Sequence, residues 1–212
     1  MSLTLYLLRH GETSYSQSGA YSGISDPELT PEGIRMAQAF AAAYQALPWA
    51  GIYVSPMKRT IATAQPLCEA NKVEMQLRSG LKEMDFGKWE GQTPDWVREH
   101  YLDDCINWMT EPSWNPPTGG ETAVEVLSRA LSVIAEIEAK YSDGNVLIVS
   151  HKTTIRIILC NLLGIDLGRY RDRLEMRVGS VSVVKFSTYG PLLQRLGDRT
   201  HLTKELQARE EA

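Results

Sequence analysis

The sequence predicts an α/β layer fold with a largely parallel sheet. Short β-rich runs at residues 4–8, 51–55, 145–150 and 180–186 alternate with stretches of helical periodicity, which is the pattern of strands joined by crossover helices. With 212 residues and 43% hydrophobic content, the chain can bury a full core within one domain spanning residues 1–212.

Each element has a local reason. The run at 4–8 opens the chain as a strand, with no charged and apolar leader before it. Thr30 is a helix N-cap and Pro31 suits the first helical position, after which Ile34, Ala37, Ala41, Tyr44 and Leu47 recur at helical spacing. The run at 51–55 precedes a helix that carries Arg59 in its first turn. Val124, Leu127, Leu131, Ile134 and Ile137 mark another helix. Ile155, Ile158, Leu159, Leu162 and Leu163 mark a third, closed by Gly164 at a C-cap. Residues 92–118 differ in composition, with Trp96, Trp108 and Trp114 among four prolines, and read as an inserted cap. The charged tail at 202–212 is expected to fray.

Bulk properties narrow the function. A net charge of -4 and the lack of a Lys/Arg cluster argue against a nucleic-acid face. No apolar run reaches membrane-spanning length. Cys68, Cys105 and Cys160 are an odd, scattered set that suits idle thiols in a reducing, cytoplasmic compartment. The four histidines lack ligand spacing and no nucleotide-binding loop is present, so no metal and no cofactor is expected. His100 and His201 read as surface residues. The expected partner is a small molecule, with a homodimer left open.

The chemistry gathers at strand ends, where ligands of open α/β sheets sit. Arg9 and His10 follow the first run, His151 follows the run at 145–150, and Arg59 lies beyond the run at 51–55. Arginine offers phosphate a planar fork of donors. A neutral imidazole beside such an anion site can attack phosphorus and form a phosphohistidine. Positive neighbours disfavour the imidazolium form of His10 and so preserve its lone pair. Glu83, beside Met84, Phe86 and Trp89, is the candidate proton donor to the leaving oxygen.

Leu8-Arg9-His10-Gly11-Glu12-Thr13 resembles the signature of the histidine phosphatase superfamily, also called phosphoglycerate mutase-like. The similarity continues through residues 29–33, 55–60, 83–91, 119–122 and 149–151, in order along nearly the whole chain. It implies a three-layer α/β/α sandwich with a mostly parallel sheet, a cap at about 92–118, phosphorylation of His10, and phosphoryl binding by Arg9, Arg59 and His151. It also implies proton donation by Glu83 and catalysis without metal. The sequence departs from the family pattern at Ser16, where asparagine is frequent, and at Lys152, where glycine is. Ser16, Ser22 and Gly23 are the further candidates for holding phosphate. Lys152 either adds a charge for the substrate or is a solvated lysine at a helix start.

Water and a second substrate hydroxyl are alternative acceptors. Between residues 92 and 128 the only arginine is Arg98 and lysine is absent, and Met84 stands where the mutase-like pattern has arginine. A cap poor in cations favours hydrolysis over a mutase. The insert and its run into Gly119-Gly120-Glu121 resemble metal-independent phosphoserine phosphatases of this superfamily, which implies a small phosphorylated metabolite, phosphoserine or similar, as substrate, with cofactor-biosynthesis and broad-range phosphatases as alternatives. In this reading Asp103, Asp104 and Glu111 are able to meet an amine, and the tryptophans, Tyr101 and Met109 form an aromatic cover. A non-catalytic phospho-ligand binding module is the third reading, disfavoured by the intact catalytic positions.

Overall fold

The structure, a computed structural model, describes residues 2–209. In chain order it contains β1 (Leu3–Arg9), α1 (Ser14–Ser18), α2 (Pro31–Tyr44), β2 (Trp49–Val54), α3 (Lys58–Asn71) and β3 (Met75–Leu77). There follow α4 (Pro94–His100), α5 (Leu102–Thr110), α6 (Ala123–Lys140), β4 (Gly144–Ser150), α7 (Lys152–Leu163), α8 (Tyr170–Arg173), β5 (Val181–Ser187), β6 (Gly190–Asp198) and α9 (Lys204–Gln207). The six strands form one sheet in the order β3-β2-β4-β1-β5-β6.

Strand alternation creates two buried faces. Leu3, Leu5, Leu7, Val146 and Ile148 pack on one side with Ala130, Ile134 and Ile137 of α6 and Ile155 and Ile158 of α7. On the other side Leu8, Ile52, Val54, Leu147 and Val149 meet Phe40 and Tyr44 of α2 and Ala64 and Leu67 of α3. Three layers result. Leu5 and Leu7 are fully buried, and removing a side chain of that size from water stabilises the fold by about 1.5–3 kcal/mol.

The sheet is parallel through β3, β2, β4 and β1, whereas β5 runs antiparallel to β1 and to β6. The run at 180–186 was expected as one more strand; the hairpin it forms with β6, and β6 itself, were not anticipated. Two helix faces also differ from expectation. In α2 the buried positions are Gly33, Met36, Ala37, Phe40, Ala41 and Tyr44, and Ile34 is 47% exposed. In α6 they are Ala123, Val126, Ala130, Val133, Ile134 and Ile137, leaving Val124, Leu127 and Leu131 half-buried.

A close backbone approach accounts for the rotation of α2. A Cβ on Gly33 would lie 2.2 Å from the Glu12 carbonyl oxygen, and one on Gly11 would lie 2.5 Å from the Gly33 carbonyl oxygen. The first turn of α2 therefore presses against the loop after β1, and only glycine permits it.

The tail is ordered as far as it is described. Leu202 and Leu206 are buried, and Arg209 bonds the Glu12 carboxylate through Nε at 2.5 Å and Nη2 at 3.0 Å. The expected fraying is therefore absent through residue 209; residues 210–212 of that expectation lie outside the described residues. His201 is not a surface residue either. It packs edge-on against Phe40 and Tyr44, and burial holds its pKa down to about 4. His100 is exposed, with its ring stacked on Trp96.

Candidate active site

Register brings the strand ends together. Arg9 pairs with Ser150 across β1 and β4, and Val54 pairs with Val149 across β2 and β4, so His10, His151 and Ser55 emerge side by side at the carboxyl edge. The His10 N–H donates to the Ser150 carbonyl at 3.1 Å and the Ser55 N–H to the Val149 carbonyl at 3.0 Å, continuing the ladder by one bond each. The two histidine rings then lie 5.2 Å apart between centroids.

The hydrogen bonds fix both tautomers. Nδ1 of His10 lies 2.8 Å from the Gly11 carbonyl oxygen, which can only accept, so Nδ1 carries the proton and Nε2 keeps its lone pair. Burial, then the charges of Arg59 and Arg9, hold the His10 pKa well below the ordinary histidine range. Both effects favour the neutral form of the ring. In His151, Nδ1 accepts from Arg59 Nε at 3.2 Å, so Nε2 carries the proton and donates to Ser55 Oγ at 2.8 Å. Burial and Arg59 again lower the pKa.

Arg59 is fully buried in the first turn of α3. Besides His151, its guanidinium donates to the carbonyls of Ser22, Gly23 and Ser25 at 2.8–3.2 Å and lies 3.4 Å from Asp26 Oδ1. Its donors thus hold a ring and a loop in place. Thr63, one turn further along α3, accepts the Gly11 N–H at 3.0 Å and anchors the segment that follows His10.

Glu83 is buried beside the N-terminus of α7. Its Oε1 accepts the N–H groups of Met84 and Thr154 at 2.9 and 3.1 Å, and its Oε2 accepts that of Thr153 at 3.0 Å. The apolar setting expected from Met84, Phe86 and Trp89 is therefore replaced, at the carboxyl oxygens, by backbone donors at a helix start.

A cavity of about 240 Å³ opens in front of these groups. Of the nine sequence candidates, Arg9, His10, Ser16, Ser22, Glu83 and Lys152 line it, whereas Arg59, His151 and Gly23 do not. Gly23 differs from expectation: its N–H donates to the Glu90 carboxylate at 2.9 and 3.1 Å, and a Cβ there would lie 2.0 Å from the Met84 carbonyl oxygen. It serves loop packing and does not present a donor to the cavity. Ser16 closes a capping box with Thr13, accepting the Thr13 N–H and donating to the Thr13 carbonyl, both at 2.9 Å. Ser22 Oγ reaches only the Ser25 carbonyl, at 3.4 Å.

The cover also differs from expectation. Trp108 lines the cavity, Trp96 stacks on His100, and Trp114 and Met109 are exposed. None of Asp103, Asp104 and Glu111 faces the cavity; Asp104 instead accepts the Thr118 hydroxyl at 2.5 Å. Sequence reasoning missed Arg156 of α7 and Tyr170 and Arg171 of α8, all in the wall. The spacing of Lys152 and Arg156, four residues apart on one helix beginning beside His151, is the signal that could have found the first. Cations absent from the cap thus come from α7 and α8. Among the described residues, no group of three or more His, Cys, Asp or Glu side chains is placed to hold a metal ion, and no helix is long and apolar enough to cross a membrane.

A buried imidazole, held towards its neutral form, in a cation-lined cavity at the carboxyl ends of parallel strands is an arrangement suited to phosphoryl transfer. The profile of the histidine phosphatase superfamily (branch 1) matches residues 5–199, and the chain belongs to that family. It is 33% identical to "Phosphoserine phosphatase 1" of Hydrogenobacter thermophilus over 78% of this chain and 79% of that one. It is 29% identical to the Proteus mirabilis protein "Probable phosphoglycerate mutase GpmB" over 95% of each. The solved structure "Bacillus stearothermophilus YhfR" superposes with a TM-score of 0.86 at 26% identity, covering 94% of this chain and 98% of the other. Phosphatases within this family act on small phosphorylated substrates, which makes a hydrolase of this class the supported assignment.

Proposed function

We propose that the chain is a metal-independent phosphomonoester hydrolase acting through a phosphohistidine at His10. The observation that carries the reading is the tautomer of His10: with Nδ1–H committed to the Gly11 carbonyl, the lone pair of a neutral ring is left on Nε2. That lone pair attacks phosphorus, the P–O bond to the leaving group breaks, and the departing oxygen takes up a proton, for which Glu83 in the cavity wall is the candidate donor. Water then attacks the phosphohistidine and gives its proton to the Glu83 carboxylate, and the N–P bonding pair returns to Nε2. Arg9, in the cavity wall, neutralises the equatorial oxygens, Arg59 and Arg9 keep the reacting ring neutral, and the His151 ring lies 5.2 Å away.

Hydrolysis is favoured over transfer to a second hydroxyl by the similarity to a relative named as a phosphoserine phosphatase; the segment 92–118 brings no cation to the cavity, but Lys152, Arg156 and Arg171 do, so the cation count no longer separates the two outcomes. The cytoplasm is the location we propose with it, in keeping with three buried free thiols. Turnover of an aryl phosphate in excess chelator, with an acid-labile and base-stable phosphoenzyme, is the expected result. His10→Ala should form no adduct. Glu83→Gln should impair alkyl esters, whose leaving oxygen needs a proton, at least tenfold more than aryl esters. Full loss of turnover in chelator, restored by metal, contradicts the metal-independent reading; interconversion of monophosphoglycerates faster than phosphate release contradicts the hydrolytic one.

A further inference from the structure

The segment around Glu83 lies outside regular structure. Residues 83–86 belong to no helix or strand, and the carbonyls of residues 80–83 find their donors on side chains. Backbone groups that leave water need such partners. Ser150 Oγ donates to the Leu81 carbonyl and Thr154 Oγ1 to the Lys82 carbonyl, both at 2.7 Å. The other three contacts come from one residue, Arg129 of α6. It donates through Nη1 to the Gly80 and Lys82 carbonyls at 2.9 and 2.7 Å, and through Nη2 to that of Glu83 at 3.0 Å.

The rest of that guanidinium is committed as well. Nε and Nη2 each meet the Glu121 carboxylate at 2.9 Å, so all five N–H groups are used. Glu121 in turn holds the chain on the far side of Glu83: its Oε2 accepts the Asp85 N–H and its own N–H donates to the Asp85 carbonyl, both at 2.9 Å. One bidentate ion pair therefore fixes the backbone before and after Glu83 to the start of α6. Glu83 lines the cavity, whereas neither Arg129 nor Glu121 does.

We propose that Arg129, anchored by Glu121, is a positioning residue for the proton donor: it fixes where the Glu83 carboxyl stands relative to the leaving ester oxygen, without touching substrate itself. The inference rests on the reading of Glu83 as that donor. Proton transfer requires the two heavy atoms to approach to about 3 Å, and a backbone shift of about 1 Å at residue 83 carries the carboxyl out of that range. The attack by His10 depends on this segment far less, since its ring follows β1 and bonds Gly11. Lysine at position 129 would keep the charge but has three donors and no planar fork, so it cannot bridge three carbonyls and a carboxylate.

Leaving-group dependence of kcat/KM in the full chain tests this, because that quantity reports the steps up to departure of the ester oxygen. Phenyl phosphate releases a basic phenoxide that needs the proton; 2,4-dinitrophenyl phosphate releases a weakly basic one that leaves without it. Arg129→Gln should lower kcat/KM for phenyl phosphate at least tenfold more than for 2,4-dinitrophenyl phosphate. Arg129→Lys should do so at least threefold more, and it answers the question where the glutamine variant does not fold. Added to Glu83→Gln, Arg129→Gln should deepen the loss on phenyl phosphate less than twofold, since both act through one group. A merely structural residue would lower both esters alike and multiply the loss of Glu83→Gln; either result, with Glu83→Gln itself selective, overturns the inference alone. Glu83→Gln without selectivity removes the proton-donor reading and the inference together, and leaves the His10 adduct standing.

Discussion

The Nε–H of Arg59 meets Nδ1 of His151 at 3.2 Å, so a buried guanidinium decides which nitrogen of that ring carries the proton. The remaining donors of the same side chain bind the carbonyls of residues 22, 23 and 25. One residue therefore orients both the second histidine and the loop beside the cavity. Lysine keeps the charge and loses the planar fork. Arg59→Lys should lower kcat/KM on an aryl phosphate by at least a hundredfold, about 2.7 kcal/mol in the barrier. Steady-state kinetics on a variant with unchanged circular dichroism checks this, and a loss under fivefold contradicts the orienting role.

The two active-site rings should show opposite tautomers. Nitrogen-15 NMR at pH 6.5 should find both neutral, His10 protonated on Nδ1 and His151 on Nε2. An imidazolium at either position at that pH would contradict the electrostatic account of the nucleophile.

Acid should destabilise the fold in a defined window. His201 has a folded pKa of about 4 against an ordinary value of 6.5. As pH falls through 6.5 the unfolded chain takes up the proton first, so this contribution to stability is complete above 6.5, declines towards 4, and is constant below. His10 and His151, also held well below the ordinary histidine range, act in the same direction from the same starting point. Chemical denaturation between pH 7.5 and 4 should show a falling midpoint, with a shallower fall in His201→Leu. Equal slopes in the two proteins would contradict the assignment.

Glu12 is almost wholly buried, with a side-chain exposure of 3%, and its oxygens are taken by Arg209, Gln17 and Thr30. Removing the cation leaves a carboxylate inside without its charge partner. Arg209→Ala should lower the melting temperature by roughly 2–4 °C, the shift expected for about 1 kcal/mol in a chain of this size. It should also slow turnover, because Glu12 adjoins the Gly11 contact with Gly33. An unchanged melting temperature, read by calorimetry, would show the pair to be incidental.

The parallel part of the fold and the placement of His10 and His151 at neighbouring strand ends were legible because both rest on local signals. Thr30 caps α2 as expected, its hydroxyl accepting the Gly33 N–H at 3.0 Å, and Gly164 closes α7 in a left-handed conformation at φ 66°. Positions immediately after strands needed only the strands. What stayed hidden was decided by tertiary contact. Ile34 and Gly33 are neighbours of opposite fate because the helix rotates to bring glycine against Glu12, which no periodicity records. Strand β6 carries Pro191 near its start and Gly197 near its end, and acquires its strand character by pairing with β5. Arg156 and Arg171 reach the cavity from helices whose facing directions depend on packing, so counting cations within residues 92–128 looked in the wrong segment.

The ion pair between residues 12 and 209 ties the loop after His10 to a residue beyond the last described strand. When synthesis has reached Asp198, every described strand of the sheet and both histidines at its edge already exist, yet the counter-charge for the carboxylate two places beyond His10 does not. Cleavage between Asp198 and Arg209 would spare every described strand and still unlatch the loop next to His10. Damage far from the chemistry in sequence would then register first as lost turnover and only later as unfolding.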